Sequence, residues 1–287
     1  LALNWNLGEE NTQSEQQIRD MAGFIHQTDP YGHNIVLHTY PNRHDSIYGP
    51  LLGDPSVLTG LSVQNSDVST THEEAVRWVT RSEDAGHPWV VAHDEAGNAQ
   101  TGTPPDPDYP GMDEAIAALD SMEKIPKLPT IDEIRSEVLW GNLMGGGAGV
   151  EYYFGYRLPE NDLNAQDWRS RELTWDSSRY ALVFFSDNEV PFWEMFNADA
   201  LAGNKDHDNS VYCFAKPGEI YVVYFSVGAS AKLDLSGASG SFKVSWYNPR
   251  SGGGLQQGSV AEVKGGAKVD LGGPPADPDQ DWVVLVR

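Results

Sequence analysis

The chain has 287 residues, 39% of them hydrophobic, and a formal net charge of −23. That length holds one large domain or two ordinary ones. The charge excludes nucleic acid as a partner, because phosphate binding needs a basic surface, and no apolar run approaches the length that spans a bilayer.

In chain order, the first stretch is "NWNLGEENT" (residues 4–12). It reads as a buried strand running into a polar turn with two adjacent carboxylates, Glu9 and Glu10. "SEQQIRDMAGFIHQTDPYG" follows as a helix, with Ser14 as N-cap and Ile18, Met21, Ala22 and Ile25 at helical spacing. "NIVLHTY" and "GLSVQNS" are strands. "THEEAVRWVTRSEDAG" is a helix with a Thr cap, an acidic first turn and a glycine stop. "PWVVAHDEAG" is a strand, "TIDEIRSEVLWGNLMGGGA" a helix, "GVEYYFGY" a strand and "RELTWDSSRYALVFFSDN" a helix.

Alternating short apolar strands and helices predict a parallel sheet covered by helices. The strands fall at residues 1–7, 34–40, 60–65, 88–94 and 149–155. Their ends gather polar and aromatic groups: Glu9 and Glu10, His38 and Tyr40, Gln64 and Asn65, Asp94 and Glu95, Tyr153 and Tyr156. A (β/α)₈ barrel and an open doubly wound sheet both place their sites there. No G-x-G-x-x-G follows a strand, and no P-loop is present.

Near residue 190 the character changes to short β-branched and aromatic runs broken by Gly, Ser, Asn and Pro, which predicts an antiparallel sandwich or barrel. The expected division is 1–190, a connector at 191–206, and 207–287. Cys213, the single cysteine, reads as a small buried hydrophobe within a strand.

Two strand-end carboxylates facing one cavity are the minimum equipment for glycoside hydrolysis, one protonated and one ionised. Glu9 or Glu10 at one strand end and Glu95 at another are the candidates, and Glu9 could help raise the pKa of Glu10 by like-charge repulsion. No metal set is expected. The "HEE" at 72–74 lacks a second His one turn on, and His38, His93 and Asp94 suit a hydrogen-bonding pocket better than a metal. No Ser sits in a nucleophile elbow. The acidic Pro-rich stretches "PPDPDYPGMDE" (104–114) and "PPADPDQD" (274–281) read as solvated loops, with an oxygen-ligand Ca²⁺ site as the sharper alternative. Trp246, Tyr247 and Arg250, in "WYNPRSGG", read as a packed edge rather than a ligand site.

These residues carry a resemblance. "WNLGEEN" resembles the fourth-strand motif of the large clan of retaining (β/α)₈ glycoside hydrolases, and "PWVVAHDEAG" resembles its seventh strand. Two strands lie between them and one follows, as in that clan. "LWGNLMGGGAGVEYYFGY", "DLNAQDWRSRE" and "VSWYNPRSGG" are similar to stretches of secreted bacterial glycoside-hydrolase-like proteins that carry a C-terminal collagen-binding-type β-sandwich.

The resemblance implies an α/β plus all-β chain: the C-terminal part of a (β/α)₈ barrel, strands four to eight, followed by an antiparallel β-sandwich. It implies a retaining glycosidase acting on a polysaccharide or oligosaccharide outside the cytoplasm, secreted or periplasmic, without a cofactor. Glu10 falls on the acid/base and Glu95 on the nucleophile. Glu9 stands where the clan usually has an Asn that contacts the sugar 2-hydroxyl. His38, Tyr40, Gln64, Asn65, His93 and Tyr153 are the further sugar-contacting candidates, by their places at strand ends. The first three barrel strands would be a partner segment of the same protein. The alternative is a non-catalytic carbohydrate- or matrix-binding protein that uses the sandwich, with an inactive barrel scaffold.

Overall fold

The structure, a computed structural model, describes residues 4–8, 10, 13–121, 128–226 and 232–287. The chain divides into two compact units that interleave in sequence. One comprises Leu1–Pro129 with Gly147–Asp167, the other Thr130–Gly146 with Trp168–Arg287.

The first unit is built on β1 (Asn4–Leu7), β2 (Asn34–Thr39), β3 (Gly60–Asn65), β4 (Val90–Ala96) and β5 (Gly149–Val150), in that spatial order. All four pairings are parallel. Between them run α1 (Glu15–Thr28), α2 (His44–Tyr48), α3 (Thr71–Asp84) and α4 (Met112–Asp120). Ser14 starts α1 with a reciprocal capping box: its hydroxyl takes the Gln17 N–H, and the Gln17 side chain takes the Ser14 N–H. The Thr cap expected for α3 lies inside the helix. Asp67 caps the preceding turn instead, through the Ser69 N–H, and the Thr71 hydroxyl donates back to the Val68 carbonyl.

Strand alternation gives the sheet two chemically different faces. Leu7, Ile35, Leu37, Leu61, Val63 and Val91 point to one face and pack against Ile18 and Ala22 of α1 and Trp78 of α3. Each such side chain, once buried, contributes about 1.5–3 kcal/mol. The opposite face carries Asn4, Asn34, Ser62 and Asp94, which line a cavity of about 190 Å³.

The last strand of this sheet is much shorter than the expected 149–155. After Val150 the chain leaves the ladder and runs against the loop that follows β4, where the Thr103 N–H donates to the Tyr153 carbonyl and the Tyr156 N–H to the Gln100 carbonyl. The acidic stretch after β4 is not simply solvated. Pro104, Pro105 and Asp106 are buried, and residues 112–120 form α4, whose Met112 and Leu119 pack on Leu158.

The second unit begins with a continuous helical run of α5 (Ile131–Glu133), a π-helical stretch (Ile134–Trp140) and α6 (Gly141–Met144). It continues with α7 (Glu172–Asp187), the short strand β6 (Phe196–Asn197) and α8 (Asp199–Ala202). Then come β7 (Val211–Lys216), β8 (Ile220–Phe225), β9 (Lys232–Asp234), β10 (Ser241–Tyr247), β11 (Glu262–Lys264), β12 (Lys268–Asp270) and β13 (Trp282–Val286). They form a six-stranded antiparallel sheet, β11-β10-β13-β8-β7-β6, and a two-stranded one, β12-β9. The two share an apolar core that includes Val223, Val284, Trp246, Leu233 and Cys213. Burial pushes the Cys213 thiol well up, so it stays protonated.

Helix packing enters this unit through Trp140, whose ring stacks on Tyr224 at 5.2 Å between centroids. Trp246 and Tyr247 are fully buried, and the Tyr247 hydroxyl donates to the Tyr180 carbonyl, so both serve packing. Asp281, expected in a solvated loop, is 3% exposed. It accepts two hydrogen bonds from Arg135, one from the Tyr224 hydroxyl and one from Arg250.

Candidate active site

The polar residues of the first unit converge at the carboxyl ends of β2, β3 and β4. His38 sits opposite Ser62 in the β2–β3 register, which brings the His38 Nδ1 within 3.0 Å of the Ser62 hydroxyl. Between β3 and β4 the register slips. Val63 faces His93, but Gln64 faces Glu95, so Asp94 is an extra residue on β4. This is a β-bulge, a device that re-aims side chains beside functional sites. In a regular strand Asp94 and Glu95 would point to opposite faces. With the bulge, both carboxylates reach one imidazole. Glu95 Oε2 lies 3.3 Å from His38 Nε2, and Asp94 Oδ1 lies 3.7 Å from His38 Nδ1.

Ser62 ties the group together. Its hydroxyl donates to the Asp94 carboxylate and accepts from the Asn6 amide at 3.2 Å. The Tyr48 hydroxyl donates to the Ser62 carbonyl at 3.1 Å, which fixes the strand from the helical side.

The electrostatics follow from these contacts. Burial works against a charged His38, but the hydrogen bonds and charges of Asp94 and Glu95 outweigh it and lift its pKa to about 9. Burial likewise works against an ionised Glu95. Hydrogen bonds from His38 and Gln64, with the His38 charge, outweigh it and hold the Glu95 carboxyl below its ordinary value. The group therefore presents an ionised, half-buried carboxylate at a strand end.

Glu10 follows β1. Its backbone is left-handed (φ 47°), a conformation that few residues other than glycine adopt. Backbone strain of this kind collects at functional sites. The Glu10 side chain bonds the Tyr40 hydroxyl, and that bond raises the tyrosine's pKa. Tyr153 donates its hydroxyl to the Ala99 carbonyl at 2.8 Å. Burial first, then the negative charges around it, Asp162, Glu95 and Glu10 among them, push the Tyr153 phenol up to about 12.

Of the sequence candidates, Glu95, His38, Gln64 and Tyr153 thus come together, with Glu10 and Tyr40 beside them. Glu9 lies outside the described residues. Two candidates are not part of the group. His93 is fully buried on the opposite face, in register with Val63, and burial holds its pKa down to about 4. Asn65 is 3% exposed, and its amide donates to the Asp67 carbonyl and the Thr71 hydroxyl, so it shapes the entry to α3. Both lie one residue out of phase with the site face.

Ser62 is not among the sequence candidates, and Asp94 is there only as a strand-end pocket residue, without its contact to His38. A serine in the middle of an apolar strand, one register step from a histidine, was the available signal for Ser62. For Asp94 the signal was the acidic pair "DE" on a strand, where regular alternation cannot place both on one face.

Comparison with known proteins adds the following. Residues 198–287 match the family model described as "Putative collagen-binding domain of a collagenase". Among solved structures, one named "Glycoside hydrolase" aligns over 93% of this chain and 60% of its own length, at 14% identity and a TM-score of 0.62. A glycoside hydrolase family 5 protein from Bacteroides vulgatus ATCC 8482 aligns over 93% of this chain and 57% of its own, at 15% identity and a TM-score of 0.61. The chain therefore spans less than two thirds of the length of either structure. No curated protein matches the sequence. At these identities the likeness establishes the fold: the chain is glycoside-hydrolase-like in architecture, and at residues 198–287 it carries a domain matching the collagen-binding family model.

Proposed function

We propose that the chain is part of a retaining glycosidase, with Glu95 as nucleophile and Glu10 as acid/base, acting on a polysaccharide or oligosaccharide outside the cytoplasm. One observation carries the reading: Glu95 is half-buried at a strand end yet held ionised by His38 and Gln64. A carboxylate that must attack an anomeric carbon needs that state. Glu10 would protonate the leaving oxygen as Glu95 attacks, then deprotonate the water that releases the sugar. Tyr40, bonded to Glu10, would orient it. Tyr153, within the field of both carboxylates, would face the sugar between them. The likeness in fold to glycoside hydrolases supports this choice among carboxylate chemistries.

Among the described residues β1 pairs on one side only, and Trp5, Met21 and Phe24 are exposed. Further barrel strands of the same protein would pair along that edge and cover those side chains.

The test is product stereochemistry, followed by proton NMR during hydrolysis of an aryl glycoside or oligosaccharide. Retention supports the reading. With Glu95→Ala, added azide should restore turnover and give the glycosyl azide of inverted configuration. With Glu10→Ala it should give the retained one. Inversion in the native chain, or unchanged turnover in Glu95→Gln, overturns it.

A second reading rests on the domain match at residues 198–287: binding of collagen or another matrix polymer without catalysis. Fold alone does not decide that. Saturable binding of the chain to immobilised collagen or glycan, with no hydrolysis of any glycan tested, would favour it.

A further inference from the structure

We infer that Asp94 is a positioning residue, which directs the Ser62 hydroxyl and so keeps His38 as an imidazolium that aims and ionises Glu95. The role given to Glu95 rests on the glycosidase reading; the charge of His38 does not.

The Ser62 hydroxyl has one hydrogen, and it goes to the Asp94 carboxylate. Ser62 therefore meets His38 Nδ1 with a lone pair, and Nδ1 must carry a proton to bond it at 3.0 Å. On the other side of the ring, Nε2 faces the ionised Glu95 carboxylate at 3.3 Å. The contact is a close charge pairing rather than an aimed hydrogen bond, and a bare Nε2 lone pair buried against a carboxylate would be repelled, so the proton is favoured on Nε2 as well. Both ring nitrogens are then protonated and the ring is charged. Asp94, 3.7 Å from Nδ1, adds an opposite charge to the same side.

The bulge makes this possible, because it brings two consecutive carboxylates to one imidazole. If Asp94 were neutral, the Ser62 hydroxyl would be free to turn and donate to Nδ1. His38 would then settle as the neutral Nε2–H tautomer. It would still reach Glu95, but without charge.

The surrounding groups are consistent with this direction of control. From β1, the Asn6 amide donates to the Ser62 hydroxyl and takes one of its two lone pairs, leaving the other for Nδ1–H. From α2, the Tyr48 hydroxyl is spent on the Ser62 carbonyl. From β3, the Gln64 amide bonds Glu95. Past β5, Glu151 lies within the field of Asp94, and Tyr153 within the fields of Glu95 and Glu10. Among these described groups, His38 is the one cation.

The experiment is an NMR titration of the full chain labelled with ¹⁵N-histidine. In the native chain both ring nitrogens of His38 should show imidazolium shifts at pH 7, with a midpoint near 9. His93, held neutral by burial, serves as the internal reference. In Asp94→Asn the His38 midpoint should fall by about one to three pH units, leaving the Nε2–H tautomer above it. The ratio of Asp94→Asn to native kcat/KM should hold steady below the new midpoint and fall to a lower level between it and about pH 9, where only the native chain keeps the charge that aims Glu95. A purely structural role would lower that ratio equally at every pH.

A neutral His38 at pH 7 in the native chain overturns the inference, and so does an unmoved midpoint in Asp94→Asn. If Asp94→Asn does not fold, Ser62→Ala removes the same relay and must also lower the midpoint. If the titrations behave as expected and no glycan is hydrolysed, the charge lock stands and the glycosidase reading falls.

Discussion

The Nε2 of His38 lies 3.3 Å from the Oε2 of Glu95, and the two residues come from strands that do not neighbour each other in the sheet. The long imidazole of β2 reaches over β3 to a carboxylate that the β4 bulge turns toward it. Removing the ring tests what the contact does. In His38→Ala, Glu95 keeps its burial but loses the cation and a donor, so its pKa rises. Activity that needs ionised Glu95 should then lose its acid limb earlier. The low-pH midpoint of kcat/KM moves up, by about one to three pH units. A pH–rate profile of native and His38→Ala chains checks this, and an unmoved acid limb would mean that Gln64 alone sets the Glu95 charge.

Replacement of the two carboxylates should separate their roles. Glu10→Gln should lower turnover by about 10²–10⁴-fold, and least for substrates whose leaving group needs no proton. Glu95→Gln should lower it further, by about 10⁴-fold or more, whatever the leaving group. Steady-state kinetics on aryl glycosides with leaving groups of graded acidity would show the difference. Equal losses across the series for both variants would count against the assignment of Glu10.

Stability should also depend on pH in a way fixed by buried histidines. The pKa of His38 is raised in the fold, so its contribution is complete below about pH 6.5 and is lost as pH rises through about 9. His93 is the opposite case. Its pKa is lowered to about 4 by burial, so the fold loses stability as pH falls from about 6.5 to 4. Glu74, held near 2 despite its burial by bonds and charges from His44 and Arg77, adds a further loss below about 4.5. The sum predicts a maximum near pH 6.5. Thermal unfolding across the range should flatten on its alkaline side in His38→Gln and on its acid side in His93→Gln.

In the second unit the buried ion pair of Arg135 and Asp281 carries a different cost. The guanidinium donates twice, at 2.8 and 3.0 Å, and both groups are shielded from water. Asp281→Ala leaves a buried cation beside the Tyr224 ring and should destabilise the chain by about 3–5 kcal/mol. The double change Arg135→Met with Asp281→Leu should cost less than Asp281→Leu alone, since the buried guanidinium is removed with its partner and Arg250 keeps Asp277. Urea unfolding of the three variants decides it.

Local sequence marked much of this arrangement. The spacing of Ile18, Ala22 and Ile25 after Ser14 specified α1, and apolar runs ending in polar residues specified β2, β3 and β4 nearly in full. What local sequence could not show was the phase of each strand end. Whether Asn65 or Gln64 faces the site depends on which face of β3 meets the helices, and Gln64 won because Val63 is in the core. His93 and Asp94 depended on a bulge, and a bulge is a property of two strands in register rather than of either one. The burial of Pro104 and Pro105 was hidden for a related reason: composition suggested solvent, but the backbone of residues 100–103 is held by the segment after β5.

That clasp gives the last prediction. Gly102 and Gly155 both have left-handed backbones, with φ of 52° and 67°. They also face each other's segments closely. A Cβ on Gly102 would stand 2.6 Å from the Gly155 nitrogen, and one on Gly155 would stand 2.7 Å from the Gln100 oxygen. Backbone atoms cannot swing aside as a side-chain tip can, so alanine at either position must push the two segments apart. Tyr153 rides on one of them, and its hydroxyl is anchored to Ala99 on the other. Gly102→Ala and Gly155→Ala should each lower stability by about 1–3 kcal/mol from backbone strain alone. They should also lower kcat/KM, because the phenol moves relative to Glu95. Gly111→Ala is the control: its φ is 89°, but its nearest neighbour is the tip of Pro159 at 3.4 Å. It should lose comparable stability and keep its kinetics. If all three variants lose stability and none loses activity, the position of Tyr153 does not matter to the chemistry, and its anchoring to Ala99 is structural.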